Sequence, residues 1–227
     1  MAAIQFFTTK FSPFGQRVHV ALTEKKIPFE LIHVDLPNKP EALLQANPIH
    51  KKVPTIVHNG KPIAESLVIL EYLKEAFHDD TPLMPKDAYE RSQVRFWADY
   101  IYKTFVFIGN SFRSRLGTPE KQAANEGILA SLKTLESGMT SFSAEGPFFT
   151  GNKFGFLDVI LSPFANAGVV LENVAGVVIP GPDELPRLHK WMEATRAYPS
   201  VSSVVPSGEE SLAALKVVFQ RNPAVTF

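Results

Sequence analysis

Ser12 and Pro13 stand where the sequence changes from a strand pattern to a helix pattern. Residues Ile4 to Phe7 are apolar and predict a short strand, and the chain from Pro13 to Lys25 repeats apolar residues on one helical face. A serine followed by a proline is typical of a helix start, with serine as the N-cap and proline at the first helical position. The free amide N–H groups at such a start stabilise a thiolate, and a serine hydroxyl can donate a hydrogen bond to it. The pair therefore predicts either the activation of a bound thiol or a purely structural helix start.

Two further dipeptides could hold the rest of a peptide-like ligand. Val53-Pro54 precedes a predicted strand, where the backbone N–H and C=O of Val53 would be free to pair with an extended peptide. Pro54 has two interpretations, a cis X-Pro bond or the start of an edge strand. Glu65 and Ser66 open a helix whose free N–H groups can accept a carboxylate, while the Glu65 side chain can hold an ammonium group. A plain helix start remains the alternative interpretation of this second dipeptide.

Lys39 and Lys52 add two cations that could bind a second, distant carboxylate. Lysines are more often solvated surface residues, and that interpretation stays open for both. Together with Ser12 and the two dipeptides, the lysines describe a site for a zwitterionic peptide that carries two carboxylates and a thiol.

The first third of the chain alternates strand and helix patterns. Asn59-Gly60 is a strong hairpin signal between two of the strands. Strands are predicted at 4–7, 29–34, 55–58 and 61–63, helices at 13–25 and 64–77, and a short helix or turn at 39–45. A β-α-β unit followed by a hairpin and a helix predicts an α/β domain.

The rest of the chain carries almost no strand signal. A polar segment with two prolines at 78–87 is the candidate linker. Helices are predicted at 89–116, 118–142, 155–173, 185–197 and 208–219. We therefore expect an α/β domain at 1–77, a linker at 78–87 and an all-α domain at 88–227.

Composition excludes several classes of chemistry and partner. Lys plus Arg and Asp plus Glu both number 23, and no basic tract appears, which argues against nucleic acid and anionic membranes as partners. The chain has no cysteine, so it can form no disulfide, thiolate metal site or cysteine nucleophile. We find no signal-peptide pattern and no uninterrupted apolar run long enough to span a bilayer, so a soluble, cytoplasmic protein is expected.

The sequence resembles the cytosolic glutathione transferases. The residues that carry the resemblance are Ser-Pro-Phe-Gly-Gln-Arg-Val at 12–18, Asn-Pro-Ile-His-Lys-Lys-Val-Pro at 47–54, Asn-Gly-Lys-Pro-Ile at 59–63, Glu-Ser-Leu at 65–67, Phe-Trp-Ala-Asp-Tyr at 96–100 and Gly-Phe-Leu-Asp at 155–158. The serine motif is similar to that of the tau class and of serine-bearing fungal and omega-like relatives. The resemblance implies a thioredoxin-like N-terminal domain, an all-α C-terminal domain, a cis bond before Pro54 and a homodimer.

The resemblance also implies the residues of the site. It implies glutathione as co-substrate with no metal, Ser12 as the catalytic residue, and glutathione contacts at Lys39, Lys52, Val53, Pro54, Glu65 and Ser66. The acceptor pocket is expected to include Phe11, Phe14, Val106, Asn110, Arg113 and Phe219, although most aromatic residues at helical spacing are ordinary core. Asp158 is expected to support a helix start in the domain core, where the N-cap position is Gly155.

These features predict a transferase that conjugates glutathione to a hydrophobic electrophile, with glutathione peroxidase as a further activity. Relatives with cysteine at the position of Ser12 react through a mixed disulfide, which a chain without cysteine cannot form. Two alternatives remain: a ligandin-like carrier of hydrophobic small molecules, and a regulator on the same fold that has lost catalysis.

Overall fold

The computed structural model describes residues 4–77 and 82–221, without the side chains of 219–221. Its N-terminal part builds strands and helices close to those that the sequence predicts. They are β1 (Ile4–Thr8), α1 (Pro13–Glu24), β2 (Phe29–His33), α2 (Glu41–Ala46), β3 (Thr55–His58), β4 (Lys61–Ala64) and α3 (Ser66–Ala76). The segment predicted as a short helix or turn at 39–45 is the helix α2.

These strands form one sheet in the order β2-β1-β3-β4. β1 pairs in parallel with β2 through the crossover helix α1, and pairs antiparallel with β3, which in turn pairs antiparallel with β4. Asn59 and Gly60 make the β3–β4 turn with φ values of 52° and 74°, the left-handed geometry that favours an Asn-Gly hairpin. The thioredoxin-like domain expected from the sequence is confirmed.

The C-terminal part is helical. Its helices are α4 (Ala88–Arg113), α5 (Pro119–Phe142), α6 (Phe156–Leu161), α7 (Gly168–Val170), α8 (Pro186–Ala197), α9 (Pro199–Ser202) and α10 (Gly208–Arg221). Asp87 caps α4 by accepting a hydrogen bond from the Glu90 N–H at 2.9 Å, and Thr118 caps α5 in the same way. A short bridge between Phe148 and Gly151 is strand-like pairing that the sequence did not predict.

The single helix predicted at 155–173 is wrong. The structure ends α6 at Leu161, continues in a 3-10 turn at Ser162–Phe164, and resumes as the short α7 and a π-helical turn at Leu171–Ala175. Pro163 explains the break, because it has no N–H to donate and its ring clashes with the preceding turn. Gly176 then ends the segment in a left-handed conformation with a φ of 72°.

The same segment, Phe156–Ala175, is the one stretch in the described chain whose length and composition would suit a membrane span. However, 67% of its most apolar window is buried inside the protein. The core helix of a globular fold has the same composition, so the apolar character of this stretch is explained by the packing seen here.

One continuous core joins the sheet to the helices. It includes Phe6 and Leu22 from the N-terminal part and Leu132, Phe164 and Trp191 from the C-terminal part, all fully buried. Part of the predicted linker belongs to this core, since Met84 is buried and the Leu83 carbonyl accepts a hydrogen bond from the Phe156 N–H at 2.9 Å. The linker residues 78–81 lie outside the described chain.

Candidate active site

Ser12 occupies the N-cap of α1, as the sequence predicts. Its backbone is extended, with φ −77° and ψ 113°, and its Oγ accepts a hydrogen bond from the Gly15 N–H at 3.1 Å. A hydroxyl has one proton to donate and two lone pairs to accept with. Because the cap uses one lone pair, the Ser12 proton remains available for a ligand at the start of α1.

Gly15 sets how closely α1 approaches the sheet. A Cβ on this residue would lie 1.9 Å from the Oγ1 of Thr8 and 3.3 Å from the Cβ of Ser12. Thr8 ends β1 and is buried, so it has little room to move. Only glycine allows the first turn of α1 to sit this close to the end of β1, and this contact places Ser12.

A cleft of about 250 Å³ opens near this helix start, and we call it the polar cleft. Most of the predicted glutathione residues line it. Its lining is Phe14, His50, Lys52, Val53, Pro54, Glu65, Ser66 and Tyr102. Val53 and Pro54 are joined by a cis peptide bond, as the resemblance implied. In the described chain the backbone N–H and C=O of Val53 have no protein partner, so they are available for an antiparallel pair with a peptide.

Asn47 holds the Lys52–Val53 turn in place, and the sequence alone did not single it out. Its side-chain nitrogen donates to the Lys52 carbonyl at 3.1 Å and to the Thr55 Oγ1 at 3.3 Å, and its Oδ1 accepts from the His50 N–H at 3.2 Å. Asn47 is 4% exposed. The Asn-Pro dipeptide at 47–48 is a turn signal that could have identified this role.

Glu65 precedes α3 with a φ of 72°, in the left-handed region that residues other than glycine rarely adopt. Such a conformation costs on the order of 1–3 kcal/mol and is typical of residues held for function. It turns the chain so that Ser66, which is buried, begins α3 at the wall of the polar cleft. The Glu65 Oε1 lies 3.9 Å from the Nε2 of His50, a lining residue that the sequence reasoning missed.

Lys39 is placed differently from the other predicted glutathione residues. It lies two residues before α2, is half-buried, and is not part of the polar-cleft lining. Lys52 does line the cleft. A ligand that fills the polar cleft would therefore contact Lys52, whereas Lys39 is outside the lining of the cleft.

A second cleft of about 290 Å³, the apolar cleft, lies between the start of α1, α4 and the C-terminal helices. Three of the residues predicted for an acceptor pocket line it, namely Phe11, Phe14 and Arg113. Further apolar walls come from α4, namely Phe105, Ile108 and Phe112. Phe14 lines both clefts, so the two are neighbours at the first turn of α1.

Val106 and Asn110 do not line the apolar cleft. The α4 residues that do, such as Phe105, Ile108 and Phe112, follow one helical face, whereas Val106 and Asn110 are rotated by about 100° and about 140° from Phe105 around the helix. The Asn110 Oδ1 instead accepts a hydrogen bond at 2.9 Å from the guanidinium of Arg113, which does line the apolar cleft. The side chain of Phe219 lies outside the described part of the structure.

The sequence did not predict that Arg17 would be buried between α1, α4 and α6. It is fully buried, and its Nε donates to the Ile160 carbonyl at 2.7 Å, which joins α1 to α6. The guanidinium carbon lies 4.9 Å from the ring centre of Phe14 and 4.4 Å from that of Phe105. Burial lowers the pKa of Arg17 to about 9, so the group stays charged at neutral pH and its cation–π contacts hold both rings.

Asp158 supports the helical core and lines neither cleft. Its Oδ1 accepts hydrogen bonds from the Phe149 N–H at 2.8 Å and the Trp191 Nε1 at 2.7 Å, and its Oδ2 accepts from the Gly155 N–H at 2.8 Å. Burial raises the pKa of Asp158 to about 6 although these donors favour its ionised form. Gly155 is the N-cap of α6, as predicted, and the carboxylate completes the cap from the third helical position.

Comparison with known proteins identifies the family. Residues 6–81 match the family model described as glutathione S-transferase, N-terminal domain. The chain is 38% identical to a probable glutathione S-transferase, parC, of Nicotiana tabacum, over 92% of either protein. The chain belongs to the glutathione transferase family. Glutathione S-transferase U19 of Arabidopsis thaliana is 37% identical over 88% of each chain.

Solved structures place this glutathione transferase near the tau class. A tau-class glutathione S-transferase from mango, Mangifera indica, superposes with a TM-score of 0.87 at 32% identity, over 95% of this chain and 98% of the other. A rice enzyme solved in complex with glutathione superposes with a TM-score of 0.83 at 34% identity, over 96% and 99% of the two chains. Among the residues described here, no three His, Asp or Glu side chains are grouped so that they could hold a metal ion.

Proposed function

We propose that this glutathione transferase activates the glutathione thiol at Ser12 for attack on a hydrophobic electrophile. One observation carries the proposal: Phe14, in the first turn of the helix that Ser12 caps, lines both the polar and the apolar cleft. A tripeptide in the polar cleft would place its sulfur where the apolar cleft begins. An acceptor in the apolar cleft would then meet the sulfur beside the Ser12 hydroxyl.

The orientation of glutathione follows from the charges around the polar cleft. Its γ-glutamyl carboxylate lies at the start of α3 near Ser66, where unpaired N–H groups accept an anion, and its ammonium group lies near Glu65. The cysteinyl backbone pairs with Val53 as an added strand. The glycine carboxylate lies toward Lys52, with Lys39 at the edge.

The reaction needs a thiolate, and a free thiol has a pKa near 8.5. The Ser12 hydroxyl donates a hydrogen bond to the sulfur, and the N-terminus of α1 adds partial positive charge, so the thiol loses its proton to solvent more readily. The sulfur electron pair then forms a bond to the electrophilic carbon, and the leaving group departs with the electrons of the broken bond. Serine keeps its own proton throughout. The same thiolate would also reduce an organic peroxide: its sulfur takes one peroxide oxygen to give a sulfenic acid, the other oxygen leaves in an alcohol, and a second glutathione then releases water and forms glutathione disulfide.

The protein is proposed to act as a cytoplasmic homodimer in detoxification. Val68 on α3 and Phe96 on α4 are large apolar side chains that are 55% and 62% exposed. Such residues on the outer face of two neighbouring helices suit a subunit interface. Sedimentation at a mass twice the 25.1 kDa of one chain is the expected result.

A ligandin-like carrier remains the second candidate, because the apolar cleft has aromatic walls on α4 and the α1 start that suit hydrophobic ligands without any reaction. Steady-state turnover of glutathione with 1-chloro-2,4-dinitrobenzene separates the two. An enzyme gives a saturable rate above the uncatalysed reaction, whereas a carrier only binds the acceptor.

Variants at position 12 test the role of the serine. Ser12→Ala is expected to lower kcat by about 10²–10³-fold, the usual cost of removing one preorganised donor to an anion, with little change in the glutathione Kd. Ser12→Gly removes the hydroxyl but retains most of the capping stability, and Ser12→Thr retains both hydroxyl and cap. A Gly variant with near-normal turnover, or a Thr variant as inactive as Ala, would remove Ser12 from the mechanism.

A further inference from the structure

Arg113 is the one charged residue among the described residues that line the apolar cleft. It lies in the last turn of α4, and the rest of this lining is apolar or glycine except for the side chains of Gln16, Asn166 and Ser211. Small-molecule sites are mostly apolar, and a few placed polar groups decide which ligand they accept. A single cation in such a wall therefore favours a ligand that carries a negative charge.

Two neighbours on α4 hold the Arg113 guanidinium against the wall of the apolar cleft. Gly109, one turn earlier, also lines the cleft, and a Cβ on Gly109 would lie 3.2 Å from the Nη1 of Arg113 and 3.4 Å from its Nη2. The guanidinium thus occupies the space that a side chain at position 109 would fill. Nη2 donates to the Asn110 Oδ1 at 2.9 Å, and the other N–H groups of Arg113 make no hydrogen bond within the described chain. They are available to a ligand in the cleft.

The positive charge of Arg113 is not neutralised within the described chain, where this residue forms no ion pair. Glu120 borders Arg113 in a separate depression between α4 and α5 and does not line the apolar cleft. Glu210 on α10 is paired with Lys10 at 3.1 Å. Residues 219–227, whose side chains lie outside the described part, contain no Asp or Glu. The lining that the structure describes therefore presents a positive charge.

The guanidinium lies at a defined distance from the proposed place of bond formation. Phe105 is level with the first turn of α1, because its ring centre is 6.2 Å from that of Phe14. Gly109, beside the guanidinium, is four residues further along α4, which corresponds to a rise of about 6 Å. An acceptor whose electrophilic carbon meets the sulfur near Phe14 would bring a substituent at that distance to Arg113. One benzene ring spans this distance between para substituents.

Building on the proposed function, we infer that Arg113 makes the enzyme selective for electrophiles that carry a carboxylate one aromatic ring away from the reacting carbon. Phe105 and Phe112 contact the apolar body, and the guanidinium binds the carboxylate through charge-assisted hydrogen bonds. With an α,β-unsaturated ketone, the sulfur electron pair bonds to the β-carbon and the π electrons move to the ketone oxygen. The enolate then takes a proton from solvent at the α-carbon, and no group leaves.

Two acceptors of matched shape test the selectivity. In para-carboxybenzylideneacetone the carboxylate is one ring away from the β-carbon, and in para-carbamoylbenzylideneacetone an uncharged amide replaces it. For each acceptor, kcat/KM at saturating glutathione is divided by the rate constant of the uncatalysed addition, which removes the difference in electrophilicity. We expect the wild type to prefer the acid about three- to tenfold, as for a partly exposed pair of charges with good geometry. Equal values for acid and amide would overturn the inference.

A matched pair of variants assigns the preference to Arg113. Arg113→Gln is expected to abolish the preference for the acid. Arg115→Gln makes the same change of charge at an exposed position that lines neither the polar nor the apolar cleft, so it should preserve the preference. Arg113→Lys keeps the charge without the planar fork and should retain part of it. The same acid-to-amide ratio in the Arg113→Gln and Arg115→Gln variants would contradict the assignment.

Binding without turnover separates this inference from the proposed function. S-(para-carboxybenzyl)glutathione and its para-carbamoyl counterpart are conjugates that can fill both clefts, and calorimetry compares their Kd values in the absence of any reaction. We expect the wild type to bind the carboxylate conjugate more tightly and Arg113→Gln to bind the two conjugates equally. Absence of turnover with both enones would contradict the proposed conjugation, whereas equal Kd values of the two conjugates in the wild type would overturn the role of Arg113.

Discussion

At the scale of single residues, the candidate site contains two kinds of residue: some are held in place by the backbone, and others carry a charge on a flexible side chain. Ser12 and Ser66 each begin a helix, so their positions are fixed by the hydrogen bonds of that helix. The Glu65 backbone has an unusual φ of 72° at the start of α3. Lys39 and Lys52, by contrast, carry their charges on long side chains with many rotamers. We expect the rigid positions to determine how glutathione binds.

Calorimetric titration of variants with glutathione tests whether the backbone-held residues contribute more to binding than the flexible lysines. Glu65→Gln or Ser66→Ala should weaken glutathione binding more than Lys39→Ala, because Lys39 does not line the polar cleft. Glutamine at 65 keeps the shape of the side chain and removes only its charge, which avoids a change in backbone strain. The effect of Lys39→Ala should shrink as ionic strength rises, since salt screens charges that contact solvent over a distance of about 10 Å at 0.1 M. Dominance of Lys39 at both salt concentrations would reverse the proposed orientation of the tripeptide.

At the scale of elements, Asp158 connects the start of α6 to α8 and to the loop at Phe149. Three N–H groups converge on this one carboxylate. Its pKa is raised by burial, yet each donor would be left without an acceptor if the carboxylate were removed. The element most dependent on this residue is α6, which has only six residues and a glycine N-cap.

We expect Asp158→Ala to lower the free energy of unfolding by about 3–5 kcal/mol, because it leaves a cluster of buried donors unsatisfied. Urea unfolding measures the change, and Asp183→Ala, at an exposed position, is the control. The glutathione Kd of the folded fraction should not change, since Asp158 lines neither the polar nor the apolar cleft. A variant that unfolds normally but loses glutathione binding would assign Asp158 to the site instead of the core.

At the scale of the whole molecule, the two halves are joined by specific contacts as well as by a shared core. The Tyr198 hydroxyl donates to the Glu24 carboxylate at 2.9 Å, and Arg17 donates to the Ile160 carbonyl. Burial, with the nearby Glu24 carboxylate, raises the pKa of Tyr198 to about 12, so the hydroxyl remains a donor at any physiological pH. Because of these contacts, we expect the N-terminal sheet part and the C-terminal helical part to unfold together.

A Tyr198→Phe variant tests how much the hydrogen bond from Tyr198 to Glu24 stabilises the protein. The variant keeps the stacking of residue 198 on Phe154, whose ring centres are 4.0 Å apart, and removes only the hydroxyl. We expect the free energy of unfolding to fall by about 1 kcal/mol, the usual net value of one hydrogen bond. Trp97 and Trp191, the two tryptophans, both lie in the helical half, whereas circular dichroism reports both halves. Fluorescence and dichroism transitions should coincide in wild type and variant, and a separation in the wild type would contradict a single cooperative unit.

Local features of this protein were determined by the sequence. The N-cap at Ser12, the turn at Asn59-Gly60 and the strands of the sheet depend on residues a few positions apart, so their patterns identify them directly. The resemblance of the motifs supplied the family and the cis bond before Pro54. It did not reveal the break at Pro163, because the strongly apolar run around it is equally typical of one buried helix.

Only the tertiary structure decided which distant residues share a cleft. Tyr102 on α4 and His50 before β3 line the polar cleft with Ser66, whereas Lys39 does not. Val106 and Asn110 miss the apolar cleft because a rotation of about 100° per residue, combined with the packing of α4, selects the face that lines it. Such groupings arise from long-range packing, which no spacing within a single helix or strand encodes.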